Sequence, residues 1–81
     1  MKTVESAVWF CEKIEAIRAA AGHDAAKLEA LSQDPALARE ASERFPDDPI
    51  LYPQLRLTLE MDVTLARHGV FLIDFPLMDD L

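Results

Sequence analysis

The 81-residue chain carries 15 acidic and 8 basic side chains, a net charge of −7, and 51% of its residues are apolar. That apolar share supports a real core and argues against disorder, and the length allows one domain. Acidity without a basic cluster disfavours direct contact with DNA, RNA or an anionic membrane surface, whose phosphates call for Lys and Arg.

The single cysteine, Cys11, excludes an internal disulfide, and with only His23 and His68 beside it no structural zinc is expected. A chain this short buries only about 60% of the surface that it exposes when unfolded, so apolar packing, alone or completed by a homodimer, must supply the stability. Gly22 and Gly69 are the only glycines, which leaves no Gly-rich phosphate loop and no expectation of a nucleotide or other cofactor. No apolar stretch follows the charged start, and the longest run of large apolar residues, 70–73, is too short to cross a bilayer. We therefore expect a cytoplasmic protein.

The first 45 residues read as three helices. Thr3 suits an N-cap, Glu5 complements the dipole of the first turn, and Gly22 offers a left-handed stop, so a helix is predicted from Val4 to Ala21. Ala7, Phe10, Ile14, Ile17 and Ala21 share one face and should be core. Cys11 sits at the edge of that face as a packed thiol, while Val8 and Trp9 lie off it. A short second helix, Ala25 to Ser32, follows the cap Asp24. The pair Asp34-Pro35 opens a third, with Pro at the first helical position, and Pro46 closes it at Phe45. Its outer side offers the i,i+4 pairs Arg39–Glu43 and Glu40–Arg44.

Residues 46–53 hold three prolines and are expected to form a stiff, extended connector. Residues 55–65 then alternate apolar and polar at every position, the period of a half-buried strand. A second strand is expected over 70–75, stopped by Pro76. Arg67, His68 and Gly69 between them fit a three-residue hairpin loop with Gly in its last position. The register pairs Leu65 with Phe71, Val63 with Ile73 and Met61 with Phe75. The predicted fold is therefore α+β: three N-terminal helices on a C-terminal antiparallel β-hairpin, with hairpin and acidic tail together occupying 54–81. The alternative is an all-α bundle of four helices with an extended tail. In it Ala66-Arg67-His68-Gly69 is a helix end, and Thr58 and Asp62 are buried among apolar neighbours at a cost unless hydrogen-bonded.

Nothing in the sequence points to catalysis. Glu12 and Glu15 beside Cys11 would raise its pKa, not lower it. Both histidines sit at expected loop positions, and there is no G-x-S-x-G elbow. Too few carboxylates cluster for a hard-metal loop, so no metal is expected.

Two surfaces stand out instead. Charge is uneven: residues 1–46 hold eight acids and six bases, whereas 47–81 hold seven acids and two bases. In the hairpin register Asp62 faces Asp74, and Glu60, Asp62, Asp74, Asp79 and Asp80 would concentrate negative charge on one side. Such a patch attracts a basic surface within a Debye length, about 8 Å at physiological salt. Val8, Trp9, Tyr52, Val70 and Leu72 lack an obvious core address and offer an apolar docking or homodimer surface. Two functions follow as expectations. The first is a non-enzymatic inhibitor or regulator that blocks the basic, nucleic-acid-binding surface of another protein, in the manner of a DNA mimic or a phage anti-defence protein. The second is an adaptor that docks or dimerises through apolar surface, like a chaperone or antitoxin component.

Overall fold

Helix starts and stops are the clearest signals in the sequence, and the computed structural model, which describes residues 2–75, places the first three helices on them. Helix α1 spans Val4–Ala21, α2 Ala25–Ser32 and α3 Pro35–Arg44. Thr3 and Ser6 form a reciprocal capping box: the Ser6 N–H donates to Thr3 Oγ1 at 3.0 Å and the Thr3 N–H to Ser6 Oγ at 3.1 Å. Asp24 and Asp34 cap α2 and α3 through the N–H groups of Lys27 and Ala36. Gly22 takes φ +61° where α1 ends.

The fourth element overturns the α+β expectation. Residues Leu51–Arg67 form one helix, α4, followed by a single 3-10 turn at Leu72–Asp74. No strand occurs among the described residues, so the architecture there is the all-helical alternative. The stiff connector is also shorter than expected. Turn bonds from the Asp48 N–H to the Phe45 carbonyl and from the Leu51 N–H to the Asp48 carbonyl fold it into α4. Pro53 stands in the first turn of α4, where a missing N–H breaks no helical bond. At the other end Arg67-His68-Gly69 is a helix stop, not a hairpin loop. The Val70 N–H reaches the Leu65 carbonyl, the Gly69 N–H reaches Ala66, and Gly69 takes φ +83°. That is the Schellman arrangement, which favours glycine because a Cβ opposes positive φ.

Helix α4 is the hub of the core. Leu51, Leu55 and Leu59 are fully buried, and Val63 and Ala66 continue the same stripe. Contacts between Lys2 and Asp48 at one end and between Arg18 and Asp62 at the other show α1 and α4 running in the same direction. Helix α2 packs on both. Helix α3 packs on α4 and reaches α1 through side chains, where Trp9 meets the ring of its C-cap residue Phe45 edge-on at 5.9 Å. Trp9, expected off the core, is only 2% exposed. The buried face of α1 is turned toward it, with Ser6, Ile14, Ile17 and Ala21 buried while Ala7 and Phe10 are half-buried.

Candidate partner-binding face

The residues expected to form an acidic patch do not gather. Asp62 points inward and is clasped by Arg18: Nε donates to Oδ2 at 2.5 Å and Nη2 to Oδ1 at 3.0 Å. The two side chains are 3% and 12% exposed. Glu60 lies on the solvent side of α4 and pairs with Arg56 at 3.2 Å, one helical turn away. Asp74 stands at the far end of α1, where both its carboxylate oxygens lie 2.9 Å from His23 Nε2. A carboxylate can only accept, so that nitrogen carries the proton. The opposed Asp62–Asp74 pair disappears with the hairpin. Asp79 and Asp80 lie outside the described residues.

The expected apolar set is similarly divided. Trp9 belongs to the core, and its indole N–H donates to Glu40 Oε1 at 2.7 Å. Lys13 reaches the other oxygen of Glu40 at 3.1 Å, and Arg44 lies 3.6 Å from the first. The indole hydrogen bond, then Lys13 and Arg44, hold the Glu40 carboxyl below its usual value of 4.5, against a smaller opposing effect of burial. The pair Glu40–Arg44 thus forms as expected, within a larger cluster. Tyr52 is half-buried against the core. Leu72 is half-buried beside Arg18, Gly22 and Asp62. Val8 and Val70 stay exposed.

Val8 belongs to a continuous surface that the sequence reading did not assemble. Val4, Ala7, Val8, Phe10, Cys11 and Ile14 of α1 line an open groove of about 470 Å³, closed on the α4 side by Thr58. Val4 is 79% and Val8 48% exposed. Cys11 is exposed in the groove wall and not packed as expected. On α4, Leu57 and Met61 are each 61% exposed. Met61 is three positions from Thr58 and so its neighbour on the helix surface, whereas Leu57 points away from the core one position before it. Arg18 closes one end of the groove, already held by Asp62. Glu12 and Glu15 stand on its rim, and neither has an ion-pair partner among the described residues.

The opposite flank of α4 is polar. Glu29, Ser32, Gln33, Arg56, Glu60, Thr64 and Arg67 line a smaller cleft there with Val63. The Arg67 guanidinium is bonded to Glu29 and Arg56 to Glu60, so its charges are matched. Among the described residues no group of three or more His, Cys, Asp or Glu side chains is placed to hold a metal ion, and no helix is long and apolar enough to cross a membrane.

Compared with protein-family models, curated proteins and solved structures, the chain matches none.

Proposed function

We propose that this chain is a non-enzymatic, cytoplasmic interaction domain that docks a partner protein through the apolar groove between α1 and α4. The observation that carries the reading is the uncovered stripe of α1. A helix in a small domain ordinarily shows one apolar face to the core and a polar face to water. Here α1 buries one face and leaves Val4, Val8 and Cys11 on another, where they line the groove. Large apolar side chains gathered on one face mark an interaction site more often than singly scattered ones. Of the two functions expected from sequence, the docking adaptor therefore has the stronger support. A regulator that occupies a basic surface on its target is one protein of this kind, with the groove as its contact.

The test is quantitative capture from a host lysate with the wild-type chain and with a Val4→Gln/Val8→Gln variant. Both valines are exposed, so the helical circular dichroism should be retained. Loss of the captured protein in the variant supports docking through the groove. Equal capture by both chains sinks it.

A further inference from the structure

Resting on that reading, we propose that the groove takes a cationic amphipathic helix of the partner, apolar residues inward and Lys or Arg against Glu12 and Glu15. The trench itself argues for a helix. It runs along one face of α1, bounded on the α4 side by Thr58, and its lining is mostly Val, Ala, Phe, Cys and Ile side chains. A chain laid there in extended form would lose water from its backbone N–H and C=O groups without finding replacements, and each such loss is costly. No strand edge exists among the described residues for an extended peptide to pair with. A helix satisfies its own backbone and needs only apolar anchors at i, i+3, i+4 and i+7. From Val4 to Arg18 the α1 wall runs about 21 Å at 1.5 Å per residue, four turns of helix.

Charge selects among helices. Glu12 and Glu15 on the rim have no ion-pair partner among the described residues, and Glu5 lies one heptad before Glu12 on the same side of α1. The one base in the lining, Arg18, is neutralised by Asp62. The field at the groove is thus negative and adds to the net −7 of the chain. A second copy would bring the same carboxylates and another −7 to the interface, so repulsion opposes it.

Fluorescence anisotropy with the full chain and labelled synthetic peptides of about eighteen residues, five helical turns, tests the proposal. One peptide places Leu at i, i+3, i+4 and i+7 with Lys elsewhere, a second replaces Lys by Glu, and a third scrambles the first. We expect the Lys peptide to bind and the other two to bind at least about tenfold more weakly, the Glu peptide through lost ion pairs and the scrambled one through lost apolar register. Glu12→Gln/Glu15→Gln should weaken the Lys peptide about tenfold, and Val4→Gln/Val8→Gln more than that. Equal binding of the scrambled peptide means unspecific charge attraction and overturns the proposal. Equal binding of the Glu peptide overturns the charge selection but leaves groove docking standing. Sedimentation of the chain alone that shows a dimer dissolved by Val4→Gln/Val8→Gln overturns it in favour of a second copy. No peptide binding, together with valine-dependent capture from lysate, overturns the cationic helix while preserving the proposed function.

Discussion

Two carboxylates, Asp62 and Glu40, are each held by a cation from another helix, and they behave differently. Asp62 is nearly sealed from solvent and depends on Arg18. Removing one partner of a buried pair leaves an uncompensated charge, at about 3–5 kcal/mol. Arg18 is the more exposed member, and its long stem can carry the guanidinium toward water. Arg18→Met should therefore destabilise more than Asp62→Leu, and the double variant Arg18→Met/Asp62→Leu should recover most of the loss. Urea denaturation measures all three, and equal losses in the two single variants would refute the asymmetry. Glu40 is held ionised below its usual range by the Trp9 indole, Lys13 and Arg44. A depressed folded pKa gives stability that is present above the unfolded value of 4.5 and lost as pH falls through the folded one. Glu40→Gln keeps an acceptor for the indole but cannot ionise. The gap in urea midpoint between wild type and this variant should be widest at neutral pH and close in acid. A gap that stays constant from pH 7 to pH 3 would show that ionisation of Glu40 contributes nothing.

At the level of elements, the caps were legible and α4 was not, and the two outcomes have one physical root. Thr3, Asp24, Asp34-Pro35 and Gly22 act within a turn or two of sequence, so their meaning survives without tertiary context. The identity of α4 depended on which apolar residues were inside. Leu55, Leu57, Leu59, Met61, Val63 and Leu65 fit a period of two, but Leu57 and Met61 face solvent. The buried set is Leu51, Leu55, Leu59, Asp62, Val63 and Ala66, which is helical spacing running back into the supposed connector. Two side chains hid it. Asp62 reads as polar, and its partner Arg18 lies 44 residues away. Pro53 reads as a helix breaker, although the first turn tolerates it. Thr58, the other objection to a helix, donates its hydroxyl to the Gln54 carbonyl at 2.9 Å. Of the misleading pair, Leu57 and Met61, Met61 lies three positions from Thr58, the α4 residue of the proposed docking groove. Local rules here fail beside a surface whose residues need not serve the fold.

On the scale of the whole molecule, the net −7 must be divided by pairing as well as by position. Counted along the chain, residues 47–81 hold the excess, seven acids to two bases. Counted in space, Glu60 is paired with Arg56, Asp74 is hydrogen-bonded to His23, and Asp62 is buried with Arg18. The carboxylates of α1 at Glu5, Glu12 and Glu15 have no ion-pair partner among the described residues. An ion pair screens its own acid at close range, so the field that an approaching cationic helix meets comes mainly from the unpaired ones. Two variants separate location from total charge. Glu12→Gln/Glu15→Gln and Glu60→Gln/Asp74→Asn each remove two negative charges, so their net charge is the same. If the groove rim recruits the partner, the first should weaken binding of the Lys-bearing helical peptide about tenfold and the second less than about twofold, with the salt dependence reduced mainly in the first. Anisotropy titrations from low to physiological salt distinguish the cases. Matched losses in both variants would show that the charge of the molecule acts only as a whole, and that the rim of the groove has no part in selecting what binds there.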